Sequence, residues 1–119
     1  MIQITPHMRI RIAREPVDFR AGIDGTAALC RRVLELDPLS GGMFVFHNRQ
    51  RTMVRVLVYD GQGFWLMTKR LSQGRFPMWR AAAAEQAHQL LEAHELQVLL
   101  AGGDWSQTRG ARPWRAIAA

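Results

Sequence analysis

MFVFHNRQRTMVRVLVYDGQGFWLMTKRLSQGR, from Met43 to Arg75, is the stretch whose reading decides the fold. Its apolar residues alternate with others in three runs, separated by short polar or glycine-bearing breaks, which is the pattern of three consecutive antiparallel strands. Met43 to His47 is aromatic and β-branched, and His47-Asn48-Arg49-Gln50-Arg51 supplies turn residues before Met53 to Tyr59 resumes the extended pattern. Asp60-Gly61-Gln62-Gly63 places two glycines where a tight hairpin needs positive φ, and Phe64 to Lys69 returns alongside. In the middle strand Val54, Val56 and Val58 share one face, wholly apolar, while Met53, Arg55, Leu57 and Tyr59 share the other, which is mixed.

Upstream, Met8 to Ala13 also alternates, with Arg9 and Arg11 on one face and Met8, Ile10 and Ile12 on the other; a strand at the sheet edge, where a charged face stays wet, is expected. The loop Val17 to Gly25 leads into a helix expected over Thr26 to Leu36, with Asp24 or Thr26 capping its first N–H groups and Ile23, Ala27, Cys30, Val33 and Leu34 as the apolar stripe. Asp37-Pro38 stops it, because proline disfavours helical geometry in the residue before it. Downstream, residues 81–101 allow two readings. The alanine run at 81–84 favours one long helix; a break near Glu92 gives instead a short strand around His88 to Leu91 and a helix from Ala93, closed by Gly102-Gly103.

At 119 residues with 48% hydrophobic content the chain fits one domain with a real core. It has no run near the roughly 20 apolar residues of a membrane span and no recognisable leader, so a cytoplasmic protein without membrane contact is expected. Sixteen Lys+Arg against ten Asp+Glu give a net charge of +6, and Lys69 is the only lysine. Such a surface attracts polyanions, and the guanidinium fork suits phosphate oxygens and guanine edges better than an ammonium does. A GC-rich coding sequence also favours arginine, so charge alone does not decide. Cys30 is the single cysteine, which excludes an internal disulfide, and it reads as a small buried hydrophobe.

Signatures of catalysis are scarce. The chain lacks a phosphate loop, a dinucleotide-binding glycine pattern and a nucleophile elbow. Asp18, Asp24, Asp37, Asp60 and Asp104 are scattered through loops, where turn or cap duty is the simpler role. Were 81–101 one helix, Glu85, His88, Glu92 and Glu95 would share a face able to hold a divalent metal, although a solvated polar face is the commoner use of that spacing. His7, His47 and His94 have no partner at ligand spacing and read as surface or turn residues. No catalytic residue, metal site or cofactor is expected. The candidates for phosphate contact are Arg49, Arg51 and Arg55 on the first hairpin and Lys69, Arg70 and Arg75 after the second, since a two-stranded ribbon enters a major groove. Trp65, Phe76, Trp79, Trp105 and Trp114 interleave with the cations; core duty is expected of Trp65, and stacking on bases is open for the two tail tryptophans.

The order of short motifs adds a resemblance. Asp18-Phe19-Arg20-Ala21-Gly22-Ile23-Asp24-Gly25, Asp37-Pro38 with Ser40-Gly41, Phe44-Val45-Phe46 with Asn48-Arg49, Tyr59-Asp60-Gly61-x-Gly63-Phe64, Lys69-Arg70-Leu71-x-x-Gly74-Arg75-Phe76 and Gly102-Gly103-Asp104-Trp105 together resemble the TnpB-type accessory protein of the IS66 family of bacterial insertion sequences. The resemblance spans about residues 8–105. It implies a protein that works beside a separate transposase without carrying the cleavage chemistry, and it favours the broken reading of 81–101. The expectation is therefore one α+β domain over residues 1–105 and a basic, flexible tail over 106–119. The domain is an antiparallel sheet of four or five strands around the meander, with helix one on the valine face and a second helix near the C-terminus. The expected partners are DNA and the transposase of the same element, or the transposase alone.

Overall fold

The computed structural model describes residues 9–77 and 87–104. The strands are β1 (Ile10–Ala13), β2 (Met43–His47), β3 (Met53–Tyr59), β4 (Phe64–Arg70) and β5 (His88–Leu91); α1 (Ile23–Val33) lies between β1 and β2, and α2 (Ala93–Leu100) follows β5. They form one five-stranded sheet in the order β4-β3-β2-β1-β5. The meander β2-β3-β4 is antiparallel as its alternation requires, with Val45 opposite Val56 and Val56 opposite Met67.

β1 does not lie at an edge. It pairs parallel with β2, Ile10 opposite Met43, and antiparallel with β5, Ile10 opposite Leu91. The sheet is thus mixed, with α1 serving as the crossover that a parallel pair needs. Arg9, just before the strand, is exposed, and Arg11, opposite Phe44 in the sheet interior, is half-buried. Residues 88–91 form a strand and 93–100 a helix, so the broken reading of the C-terminal segment holds. α2 opens on a capping box in which the Glu92 N–H donates to Glu95 Oε1 at 2.8 Å and the Glu92 carboxylate accepts from the Glu95 backbone. With the change of element His88, Glu92 and Glu95 do not share the single helical face that one long helix would give them. The alanine run, Trp79, Trp105, Trp114, Glu85, His7 and the basic tail lie outside the described residues.

The two faces of the sheet carry separate cores. Ile10, Ile12, Met43, Val45, Val54, Val56, Val58 and Leu91 pack with Leu96 and Leu99 of α2 and with Phe76. Ala13, Phe44, Phe46 and Leu57 pack with Ala27, Cys30 and Leu34 of α1. The valine face is therefore covered by α2 and not by α1, which sits on the mixed face. Leu57, Phe44 and Phe46 make that face apolar enough to hold a helix despite Arg55 and Tyr59.

α1 starts earlier and stops earlier than its pattern suggests. Gly22 is its N-cap, without a side-chain cap, and the Thr26 N–H bonds the Gly22 carbonyl. Thr26 is buried and Ile23 is exposed, so the stripe is Ala27, Cys30 and Leu34 with Val33 beside it. Glu35 takes a left-handed conformation (φ 56°) and the Leu36 N–H turns back to the Cys30 carbonyl, ending the helix before proline acts. Burial pushes the Cys30 thiol up to about 11, which keeps it protonated.

His47 is not a surface residue. It is buried at the end of β2, and its Nε2 lies 3.2 Å from the Ala13 carbonyl oxygen. Burial lowers its pKa below the ordinary 6.5, and burial with the Arg11 charge lowers that of His88. Below pH 6.5 the unfolded chain binds more protons than the folded one, so stability is complete above that pH and falls as pH drops towards the lowered folded-state values. The urea midpoint should fall between pH 7 and 5 and be nearly constant in a His47→Gln/His88→Gln double variant; an equally steep fall in that variant would place the loss elsewhere. Close approach sets a second test. A Cβ at Gly42 would lie 2.7 Å from the Arg9 carbonyl oxygen, so Gly42→Ala should cost about 1–3 kcal/mol in urea unfolding.

Candidate nucleic-acid interface

The turn between β2 and β3 is built on Asn48, a buried amide that sequence reasoning missed as a site residue. Its Oδ1 accepts from the backbone N–H groups of Thr52 and Met53, and its Nδ2 donates to Thr52 Oγ1 at 2.9 Å. The Arg51 N–H bonds the Asn48 carbonyl while Arg51 adopts φ 59°. A rigid turn results, with Arg49 exposed and Arg51 half-buried at its tip.

The loop after β4 is tied to this turn. The Leu71 N–H bonds the Thr52 carbonyl, and the Phe76 N–H bonds the Arg51 carbonyl at 2.7 Å. Gly74 supplies a left-handed reversal (φ 73°), and Phe76 is fully buried in the α2-side core. The Gly-Arg-Phe motif therefore has a mechanical reading: the phenyl anchors the loop and the glycine bends it. Arg75 and Arg70, both exposed, are brought beside the arginines of the first turn.

A third segment closes on the same end. The Val17 N–H bonds the His47 carbonyl, and a cleft of about 540 Å³ is lined by Pro16, Val17, Asp18, Phe19, Arg20, Arg49, Gln50 and Met53. Arg20 is paired within its own loop: its Nη2 donates to Asp18 Oδ2 at 2.6 Å, which holds the Asp18 carboxyl below its ordinary range. Arg14 lies 3.7 Å from the Glu15 carboxylate. Arg49, Arg51, Arg70 and Arg75, by contrast, have no carboxylate within salt-bridge distance among the described residues.

Two of the six candidates are engaged internally. Arg55 donates from Nε to Thr68 Oγ1 at 3.0 Å and from Nη1 to the Ala21 carbonyl at 2.8 Å, and its guanidinium carbon sits 4.5 Å from the centroid of the Phe19 ring. Desolvation lowers its pKa. It clamps the Asp18-to-Gly22 loop to the sheet. Lys69 Nζ donates to the Leu100 carbonyl and so caps the C-terminus of α2. The structure thus gathers Arg49, Arg51, Arg70 and Arg75 at one end of the sheet and gives Arg55 and Lys69 duties within the fold.

The other motif residues prove to be turn builders. Asp60 Oδ1 accepts from the Gln62 and Gly63 N–H groups and its Oδ2 from Trp65 Nε1 at 2.8 Å, which together hold its pKa down. Only Gly61 of that turn has positive φ, at 98°. Trp65 is 47% exposed, a correction to the core duty expected of it, because its strand lies at the sheet edge and its indole reaches back to the turn. Gly22 and Asp24 open α1, and a Cβ at Gly25 would meet Ala21 Cβ at 2.6 Å. Among the described residues no group of three or more His, Cys, Asp or Glu side chains is arranged to hold a metal, and no helix is long and apolar enough to cross a membrane.

A mixed α+β domain whose hairpin turn and following loop present arginines with no carboxylate partner among the described residues is the class defined by fold and site. The family model described as IS66 Orf2-like protein matches residues 8–110. The chain belongs to that family of insertion-sequence accessory proteins, which is not known as catalytic. It is 36% identical over 115 residues to uncharacterized protein y4hO of Sinorhizobium fredii, covering 97% of this chain and 96% of that one. It is 35% identical over 111 residues to uncharacterized protein y4jC of the same organism, covering 92% and 91%. No solved structure matches the chain.

The internal role of Arg55 is measurable. Arg55→Lys keeps the charge but loses the planar fork that stacks on Phe19 while bonding two oxygens, so it should lower the stability of the domain by about 1–2 kcal/mol in chemical denaturation. An unchanged midpoint would show that the Asp18-to-Gly22 loop holds itself in place.

Proposed function

We propose that this protein supports transposition of its element by docking on DNA through the basic end of its sheet, using Arg49, Arg51, Arg70 and Arg75 as phosphate contacts and making or breaking no bonds. The observation that carries the reading is the division of the arginines. Arg14 and Arg20 have carboxylate neighbours and Arg55 is bonded within the fold. Arg9, Arg11, Arg31 and Arg32 lack a carboxylate partner among the described residues but are spread over β1 and α1, whereas these four, equally without one, ride on two turns tied together by the Leu71 and Phe76 N–H bonds. Guanidinium groups held on rigid turns lose little freedom when they meet phosphate oxygens, so their arrangement favours a polyanion.

A second reading is contact with the transposase alone. It draws on the cleft beside Arg49, whose Pro16, Val17, Phe19 and Met53 walls suit a peptide segment better than a phosphate chain. One titration separates the two. Binding to duplex DNA is followed over a salt series for the unaltered chain and for an Arg49→Ala/Arg70→Ala/Arg75→Ala variant. The log–log slope should flatten by about 0.9 for each phosphate that the variant no longer neutralises. An Arg32→Ala control, on the exposed side of α1, should leave it unchanged. An equal slope in the triple variant would rule out DNA docking at this end and leave the transposase reading.

A further inference from the structure

β4 closes one side of the sheet, and among the described residues it pairs only with β3. The bonds from the Leu71 N–H to the Thr52 carbonyl and from the Asp60 N–H to the Gly63 carbonyl mark hydrogen-bonded positions of the β3–β4 ladder. By the alternation of an antiparallel pair, Trp65, Met67 and Lys69 turn their peptide groups towards β3, and Phe64, Leu66, Thr68 and Arg70 turn theirs outwards. The strand is seven residues long and mostly exposed, carrying Trp65 at 47% and Met67 at 38% exposure. A free edge of that length and apolarity is a template for another strand.

We infer that the occupant of this edge is β4 of a second copy of the chain, paired antiparallel about a two-fold axis at Met67. The sequence of the strand, FWLMTKR, carries the argument. In that register Leu66 faces Thr68 of the second copy and Phe64 faces Arg70, so every outward peptide group of both strands finds a partner. Trp65 meets Lys69 on the α2 side and Phe64 meets Arg70 on the α1 side, which sets an aromatic ring against a cation at each end and on both faces. The alternatives are worse. In-register parallel copies, or an antiparallel register centred on Lys69, set lysine against lysine, and registers centred on Trp65, Leu66 or Thr68 leave outward peptide groups of the strand opposite turn or loop residues. Edge cations commonly oppose strand addition; in the register centred on Met67 each of them faces an aromatic ring instead. The inference goes beyond DNA docking and does not depend on it.

The test uses the full chain, freed of nucleic acid by nuclease treatment. Sedimentation equilibrium should show a concentration-dependent rise from 13.6 kDa towards twice that mass. Trp65→Lys, at an exposed position, should return the chain to monomer by facing Lys69 with a like charge, whereas Trp65→Glu, facing the same lysine with the opposite charge, should keep the dimer. Cysteine placement reads the register directly, since the native Cys30 thiol is buried. Met67→Cys should cross-link to itself on mild oxidation, because side chains on the axis of a pair that is not hydrogen-bonded lie about 4.5–5.5 Å apart. Arg70→Cys should not, its two copies being roughly 20 Å apart at about 3.3 Å per residue. Monomer at every concentration, equal cross-linking of the two cysteine variants, or undiminished dimerisation of Trp65→Lys would each overturn the proposal.

Discussion

Burial of β2 on both of its faces is the constraint on which the rest of this structure depends. All five residues of Met43–His47 are buried, so neither side of the strand can meet water, and the sheet around it must be covered twice. α1 meets one requirement as the crossover between β1 and β2, and α2 meets the other after the chain has returned as β5. The two cores then divide the strand residues between them, Met43 and Val45 on the α2 side, Phe44 and Phe46 on the α1 side. Gly42 belongs to the same constraint, since its lack of a side chain lets the start of β2 close on the Arg9 carbonyl.

With the sheet so covered, charge is left to its ends. Arg55, half-buried, directs two of its N–H groups to oxygens of the fold and lays its guanidinium over the Phe19 ring. The arginines of the first turn and the following loop ride instead on backbone fixed by Asn48 and Phe76. The amide and the phenyl thus do for the surface what the valines do for the core. They hold the cations in place, with no carboxylate beside them among the described residues.

Much of this was legible from residues alone, and the limits have physical causes. The meander declared itself because period two, turn chemistry and a glycine with positive φ at 61 all act within a few residues of one another. The burial of β1 did not, because its second partner lies across the sheet in residues 88–91 and no local pattern reports a pairing at that separation. Alternation revealed that β3 has two faces, but not which helix each would meet. Arg55 read like the other arginines since the carbonyl it bonds belongs to Ala21, 34 positions away. Trp65 read as core because aromatic rings usually are, and its edge position follows only from strand order. The family motifs were legible as a set, while the duty of each, such as Asn48 shaping a turn or Phe76 anchoring a loop, emerged with the contacts.

The late arrival of β5 bears on how the chain comes into being. β1 takes its second neighbour only when residues 88–91 have been synthesised, about 75 positions after it, and α2 later still. At translation rates of about 5–20 residues per second that interval lasts roughly 4–15 seconds, during which Ile10 and Ile12 have no final cover. Two isoleucines thus stay on an open flank until the C-terminal strand and helix have been made.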